Sequence, residues 1–284
     1  MCHIASIYLA ADGWYWLCGH RATSGRSGRS LEMPSRVSGS RGILVSRERG
    51  TSAGGVSRCT RTGVASKRPL GTRPGMGKGE VNMFVQVIQG HVADAAQVRA
   101  QLDRWAEEVA PGAVGWLGST SGVTVDGTLI ALARFESAEA ARRNSDRPEQ
   151  TAWWEQTAAL FTGEPVFHNS TSVEVDTPGD PSRAGFVQVM QGRSSDPDRA
   201  RELMANDPTD WPEFRPDILG TVWVGHDGDA WTMAIYFTSE EAAREGEQKQ
   251  PPPQTQEMMK EMDALTIGAP VFFDLRDPWL HAPS

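Results

Sequence analysis

A repeated segment constrains the fold of this chain more than any other feature of its sequence. Residues 84–90 read FVQVIQG and residues 186–192 read FVQVMQG, 102 positions later. The same spacing relates residues 134–142 to residues 236–244, which share the ending Glu-Ala-Ala-Arg. After a three-residue insertion, Pro165-Val166-Phe167 recurs as Pro270-Val271-Phe272. The chain therefore contains two copies of one structural unit, and each copy serves as a reference for the other.

Charge and cysteine content divide the chain near residue 82. Residues 1–82 carry 13 Lys and Arg against 4 Asp and Glu, whereas residues 83–284 carry 15 against 32. Because the duplicated part is so acidic, we expect no nucleic-acid partner. The cysteines all precede the repeats, so neither disulfides nor thiolate-bound metal are expected there, which favours a reducing cytoplasm. No apolar run reaches the roughly 20 residues of a membrane-spanning helix, so no membrane association is expected.

The first 82 residues are rich in Arg, Ser and Gly and lack a periodic apolar pattern. Such a segment cannot bury enough apolar surface to offset its conformational entropy, so we predict a disordered basic extension. A start site assigned too early would also explain it, since Met83 directly precedes the first predicted strand. A basic nucleic-acid arm is a weaker alternative. A targeting peptide is weaker still, because residues 4–11 lack a preceding positive region.

Within the first repeat, the hydrophobic pattern predicts the element order βαββαβ. The predicted strands cover residues 84–89, 114–120, 128–136 and 165–175. Asp94 is the expected cap of the first helix, with Gln97 as its capping-box partner. Ser137 and Pro148 begin the two pieces of the second helical element. The hydrophobic pattern of the second repeat predicts the same element order.

This order is that of the ferredoxin-like α+β unit, whose four-stranded antiparallel sheet carries helices on one face only. The bare face must be covered, and two such units in one chain can cover each other sheet to sheet. We therefore predict two tandem ferredoxin-like units that form an intrachain pseudo-twofold barrel. The repeats span residues 83–176 and 185–277, joined by a linker at 177–184 and followed by a tail at 278–284. Since one chain suffices, we expect a monomer or a weak dimer.

Several segments resemble a known family. They are the strand ending Ala-Arg-Phe-Glu-Ser (133–137), the Glu-Ala-Ala helix that follows it, and Arg-Pro-Glu-Gln-Thr-Ala-Trp-Trp (147–154). With the element order, they resemble the dimeric α+β barrel superfamily, and within it the antibiotic biosynthesis monooxygenase-like domains. The resemblance covers residues 83–175 and, more loosely, 185–277.

The resemblance implies a small-molecule ligand. It also implies an activity, the oxygenation of an aromatic or polyketide-like molecule without any cofactor or metal. The superfamily includes haem-degrading enzymes, isomerases and ligand-binding regulators as well. A non-catalytic small-ligand-binding or stress-related barrel protein is therefore the alternative.

Two candidate catalytic residues come from positions where the first repeat is polar and the second is not. His168 aligns with Phe273, and Asn144 aligns with Gly246. His168 is the candidate base, and Asn144, which stands where many members of the family have a histidine, is the candidate partner of an oxyanion. The structural alternatives are a hydrogen-bonded histidine and a helix cap. His226, beside an Asp-Gly turn, is expected to be solvated, and the sequence reveals no metal-binding cluster.

Four further residues are candidate substrate contacts. Trp153 and Trp154 either form a stacking wall or pack in the core. Gln86 recurs as Gln188 in the second repeat and needs partners if it is buried, which favours a structural role. Arg134 either pairs with a carboxylate of the sheet or reaches a substrate anion. Because the distinctive side chains belong to the first repeat, we expect the pocket there.

Overall fold

The computed structural model describes residues 83–283. The predictions made for residues 1–82 lie outside the described residues. Within the described part there are two five-stranded antiparallel sheets. No helix of this part is long and apolar enough to cross a membrane.

The first repeat contains five strands and three α-helices. The strands are β1 (Phe84–His91), β2 (Trp116–Val123), β3 (Thr128–Phe135), β4 (Val166–Ser170) and β5 (Val173–Asp176). The helices are α1 (Ala95–Arg104), α2 (Ala138–Ser145) and α3 (Pro148–Ala158). After α1 the chain continues through a π-helical turn and a 3₁₀ turn, Trp105–Val109 and Ala110–Gly112.

The second repeat contains five strands and four α-helices. The strands are β6 (Phe186–Arg193), β7 (Ile218–His226), β8 (Ala230–Phe237), β9 (Val271–Leu275) and β10 (Trp279–His281). The helices are α4 (Pro197–Ala205), α5 (Trp211–Phe214), α6 (Glu240–Glu247) and α7 (Pro253–Leu265). A 3₁₀ turn, Pro181–Arg183, lies between the repeats. The predicted βαββαβ order is confirmed in both repeats, with the second helical element divided in two each time.

Polar side chains at the helix starts explain where the helices begin. Asp94 accepts hydrogen bonds from the backbone N–H groups at the start of α1, and Gln97 donates its side-chain amide to Asp94 Oδ2 at 3.0 Å. Ser137 and Ser239 accept a backbone N–H at equivalent places before α2 and α6. Asp196 does the same for α4, which has proline at its first position. These caps satisfy N–H groups that have no partner within a helix.

The two sheets exchange their last strands. Their orders are β10-β2-β3-β1-β4 and β5-β7-β8-β6-β9. Although β5 follows β4 in the chain, it pairs with β7 of the second repeat. Likewise β10 follows β9 but pairs with β2 of the first repeat. The prediction of one continuous strand over 165–175 is therefore wrong, because the chain leaves the first sheet between Ser170 and Val173. The segment considered a tail supplies β10.

The inner faces of the two sheets form a single apolar core. Its buried residues come from both repeats and are Val85, Val87, Ile130, Leu132, Val187, Val189, Val222, Val224, Ala234, Tyr236 and Leu275. One polar contact crosses this core, between Thr120 Oγ1 and Tyr236 Oη at 2.6 Å, with both residues fully buried. Each sheet thus covers the bare face of the other, which confirms the intrachain pseudo-twofold α+β barrel.

The contact between Thr120 and Tyr236 generates a test of the barrel. Thr120→Val and Tyr236→Phe should each lower the free energy of unfolding by about 1–3 kcal/mol, because each leaves one buried hydroxyl without a partner. The double variant should cost less than the sum of the two, since no orphaned group remains. Urea unfolding measures all four proteins. Strictly additive effects would contradict a direct contact between the two halves.

Candidate functional site

Asn144 belongs to a buried polar network at the junction of α2 and α3. Its side-chain N–H donates to Gln150 Oε1 at 3.1 Å, and its Oδ1 accepts from Arg147 Nη1 at 2.9 Å. Trp105 Nε1 also donates to Gln150, at 2.7 Å, and Arg147 reaches the carbonyl of Val109 at 3.0 Å. These bonds tie the helices of the first repeat together. They favour a structural role for Asn144, as part of a helix junction and not as the helix cap considered from the sequence.

The second repeat fills the same place with a different residue. A side chain at Gly246, which aligns with Asn144, would overlap the guanidinium of Arg215. Arg215 is 1% exposed and forms a bidentate ion pair with Asp217, at 2.7 and 2.8 Å. It also donates to the carbonyl of Ala243 at 3.3 Å. Asn144 and Gly246 therefore differ because the helix junction is held by the Asn144 network in the first repeat and by the Arg215–Asp217 ion pair in the second.

Trp153 and Trp154 pack among other aromatic rings of the helical layer. Trp153 is buried, donates its indole N–H to the Gln101 carbonyl at 2.8 Å, and meets Trp105 edge to face at 6.1 Å. Trp154 is half-buried and contacts Phe167 with ring centroids 5.3 Å apart. These contacts are those of core packing, the alternative that the sequence left open.

Gln86 makes a cross-strand hydrogen bond that recurs in the second repeat. Its side-chain N–H donates to Asn169 Oδ1 at 2.8 Å, and Gln188 donates to Asp274 Oδ1 at 3.0 Å. In each repeat the two partners stand directly opposite each other on adjacent strands. A hydrogen bond repeated at the same register supports a structural role for both glutamines.

Arg134 occupies the position of the first repeat that corresponds to Tyr236. It shares the inner face of β3 with Ile130 and Leu132, because side chains two apart along a strand point the same way. Among residues 83–283, its buried Nε has no hydrogen-bond partner. The ion pairs between described residues include none of Arg134, so the carboxylate partner considered from the sequence is not found among them.

His168 is joined by two residues of the second repeat. Its Nδ1 lies 2.7 Å from Asp227 Oδ2, and its ring stacks on His226 with centroids 4.1 Å apart. His226 Nδ1 lies 3.0 Å from the same carboxylate oxygen, and its Nε2 lies 2.9 Å from Thr232 Oγ1. The His226 side chain is only 5% exposed, so the expectation that it is solvated is wrong. The stacked ring of His168, from the other repeat, helps to shield it.

Burial and neighbouring charges set the protonation of this cluster. Burial is the main cause that lowers the pKa of His226, and the positive charge of a protonated His168 lowers it further, while the hydrogen bond to Asp227 opposes the change. The pKa of Asp227 is also lowered, mainly because His226 hydrogen-bonds to it. At neutral pH we therefore expect a neutral His226 beside an ionised Asp227.

A cavity of about 240 Å³ lies in the second repeat, between its sheet and helices α4 and α7. Its apolar walls are Ala200, Met204, Trp223, Trp231 and Met262. His226 also borders it, but alternation along β7 places the imidazole on the opposite face from Trp223, towards the barrel interior. This cavity belongs to the second repeat, and the pocket expected in the first repeat stays a prediction.

In the first repeat, a tryptophan from the exchanged strand fills the equivalent space. Trp279 pairs with Ser121 as Glu174 pairs with Trp223, so the two pairs are related by the pseudo-twofold. Trp279 is buried and Glu174 is exposed. The residues packed in one buried cluster with the Trp279 indole are Val92, Val98 and Leu129. A large side chain thus replaces the cavity on this side of the barrel.

Arg201 on α4 provides a positive charge at the cavity. Its guanidinium carbon lies 5.8 Å from the centroid of the Trp223 ring, a cation–π distance. One guanidinium nitrogen pairs with Asp198, an exposed carboxylate on the same helix. The other lies 3.5 Å from Ser172 Oγ, at the limit of a hydrogen bond. Within the described part of the chain, this second nitrogen therefore has only a weak neutral partner.

The equivalent arginine of the first repeat has a stronger partner. Arg99 lies 5.8 Å from the ring of Trp279, and one of its nitrogens forms an ion pair with Asp277. Asp277 aligns with Ser172, so the carboxylate that neutralises Arg99 is replaced by a hydroxyl beside Arg201. The second repeat thus combines a cavity with an arginine that has room for a further anionic partner.

The candidate residues predicted from the sequence include none of the cavity walls. The repeat comparison contained a usable signal, because Trp223 stands where the first repeat has Ser121, and Ser172 where it has Asp277. The structure also separates Asn144, Trp153 and Trp154 from the cavity lining. Among the predicted residues, only His168 meets other ionisable groups of the second repeat.

Comparisons with known proteins agree on the fold. No protein-family model and no curated protein sequence matches the chain. A solved structure described as a "putative monooxygenase" from Lactobacillus acidophilus NCFM matches with a TM-score of 0.56 and 13% identity, covering 71% of this chain and 96% of that one. A second protein with the same description, from Fusobacterium nucleatum, has a TM-score of 0.56 and 8% identity, covering 71% and 95%. At these identities, the likeness shows the fold alone, an α+β barrel that is built here from two tandem units.

The network around Asn144 gives a prediction that separates a structural from a catalytic role. Asn144→Ala should lower the free energy of unfolding by about 1–3 kcal/mol, because Gln150 and Arg147 each lose a buried hydrogen-bond partner. Ser145→Ala, one position on and exposed, is the matched control and should stay within about 0.5 kcal/mol of the parent. Thermal or urea unfolding measures both. Equal stability of Asn144→Ala and the parent would reopen the oxyanion role.

Proposed function

We propose that the protein binds a flat aromatic or polyketide-like molecule with an anionic oxygen, in the cavity of the second repeat. The observation that carries this proposal is the pairing of two indole walls with the arginine beside them. Indole and thioether groups offer apolar, polarisable contact to an aromatic ring. The guanidinium of Arg201 offers a charged donor to a phenolate, enolate or carboxylate.

Cofactor-independent oxygenation is the activity that we assign to this site. An ionised phenol or enol is electron-rich and can reduce molecular oxygen itself. A carbon–oxygen bond forms to give a hydroperoxide, which loses water and leaves a carbonyl, so one CH₂ and one O₂ become one C=O and one H₂O. The positive charge of Arg201 lowers the pKa of the bound phenol and stabilises the oxyanion. The monooxygenase descriptions of proteins with this fold support the assignment.

Ligand binding without chemistry is the second candidate function, and the lining of the cavity favours it. The His226 side chain lies on the other face of β7, and Asp229 is held in a bidentate ion pair by Arg193. Among the described lining residues, no neutral histidine is therefore positioned to accept a proton from a ligand. A barrel that only sequesters a small molecule, as a stress-related protein would, needs no such group.

A pair of related ligands tests the binding site. Arg201→Gln should weaken binding of 1-hydroxy-2-naphthoate roughly tenfold to a hundredfold, because it removes a charged hydrogen-bond donor. Binding of 1-naphthol, which has no carboxylate, should change much less. Isothermal titration calorimetry at neutral pH measures both affinities.

Two variants serve as controls for this titration. Arg99→Gln changes the equivalent arginine of the first repeat and should bind both ligands as the parent does. Met204→Trp fills the cavity and should abolish binding of both. Equal losses in Arg99→Gln and Arg201→Gln, or unchanged binding in Met204→Trp, would place the ligand elsewhere.

Oxygen consumption then distinguishes the two candidate functions. We expect the parent to consume oxygen with anthrone at a saturable rate, and Met204→Trp to fall to the uncatalysed rate. An oxygen electrode gives this measurement directly. Binding of the naphthoate without any oxygen consumption above the uncatalysed rate would favour sequestration over catalysis.

A further inference from the structure

Three metal-ligating side chains converge where β4 of the first repeat meets the β7–β8 hairpin of the second. One ligand atom from each of His168, His226 and Asp227 lies within 4.8 Å of the other two. Both imidazole Nδ1 atoms face a single carboxylate oxygen, Asp227 Oδ2, at 2.7 and 3.0 Å. This arrangement differs from a chance surface cluster, because the two histidines are largely buried, with 20% and 5% of their side chains exposed.

We propose that His168, His226 and Asp227 bind one divalent transition-metal ion, with Zn²⁺ as the reference ion. Two imidazoles and one carboxylate suit zinc, cobalt, nickel, copper or ferrous iron, whereas magnesium and calcium prefer sets of oxygen ligands. Three protein ligands leave at least one coordination position for water or for a further ligand. The Asp227 side chain is exposed, so solvent can reach that coordination position.

An ion can enter if Asp227 shifts outwards and the stacked rings of His168 and His226, with centroids 4.1 Å apart, tilt towards each other. Around a tetrahedral zinc ion with bonds of about 2.0–2.1 Å, neighbouring donor atoms lie roughly 3.3 Å apart. The two separations from Asp227 Oδ2 are slightly shorter than this. Asp227 is 61% exposed and sits in the hairpin turn with φ of 52°, so its carboxylate can shift outwards without disturbing the core.

A buried partner prepares His226 for this role. Its Nε2 lies 2.9 Å from Thr232 Oγ1, and Thr232 is fully buried. In the metal-free chain Nδ1 donates to the Asp227 carboxylate; when the proton is instead on Nε2 and donated to this hydroxyl, Nδ1 carries the lone pair that a metal ion needs. Gln191 donates to the same hydroxyl at 3.2 Å and so helps to hold it in place. The ring is therefore oriented from behind by protein groups, as in established histidine–metal sites.

The proposed metal site is separate from the ligand cavity, and it joins the two repeats. The imidazole of His226 lies on the face of β7 opposite to Trp223, a wall of the cavity. His168 comes from one half of the barrel, and His226 and Asp227 from the other. A bound ion would therefore link the halves at a point beside the exchanged strand, and it should stabilise the folded chain by mass action.

The test is zinc binding to the full chain after metal is removed with a chelator. We expect the parent to bind one Zn²⁺ more than Asp227→Asn or His168→Gln, or to bind that ion at least roughly a hundredfold more tightly, since even groups behind a ligand contribute 10–100-fold. Asparagine tolerates the left-handed backbone of position 227, so Asp227→Asn preserves the turn. Isothermal titration calorimetry gives the stoichiometry, and the melting temperature of the parent alone should rise with zinc.

Two matched variants control for adventitious binding. His281 forms a histidine–carboxylate pair with Asp103 at 2.8 Å, so His281→Gln removes such a pair outside the proposed site. Asp229→Asn changes a carboxylate two positions from Asp227, in the same hairpin. Both should bind zinc as the parent does, and the cysteines of residues 1–82 are common to all variants. Equal zinc stoichiometry and melting shifts in the parent, Asp227→Asn and His168→Gln would overturn the proposal, as would a parent that binds no zinc.

Discussion

The exchange of β5 and β10 between the sheets is the interaction on which the rest of this structure depends. Each sheet would otherwise end at β2 or β7 with a row of backbone donors and acceptors without partners. The crossing strands satisfy those groups and, at the same time, hold the two inner faces together over one apolar core. Both sheets of the barrel are thereby joined within a single polypeptide.

The same exchange makes the two halves chemically unequal. The strand that crosses to the first sheet brings Trp279, which fills the space beneath α1, whereas the strand that crosses to the second brings Glu174, whose side chain is exposed. The indole of the second repeat is instead provided by Trp223 on the sheet itself, and a cavity remains beside it. The proposed ligand site and the proposed metal site both lie near this second crossing, at Ser172 and His168.

Comparing the repeats predicted the fold well and the site poorly, for a physical reason. Positions that alternate between core and surface are common to both copies, so the caps, strands and barrel could be predicted from the sequence. Site residues were sought where the first repeat is polar, yet the contrast of Asn144 with Gly246 arises because Arg215 occupies the space of the missing side chain. When two aligned positions differ, a residue distant in the sequence can fill the space of the smaller side chain. A sequence alignment does not show such a residue.

The sequence by itself determined the duplication, the element order and the need for each bare sheet to be covered, because these follow from local periodicity and from the cost of exposing an apolar face. Only the tertiary structure decided which strands cross, which half retains a cavity, and that His168 meets His226 and Asp227. These outcomes depend on contacts between residues distant in the chain, whose register is set by strand pairing and by which side chains fill the space between the layers.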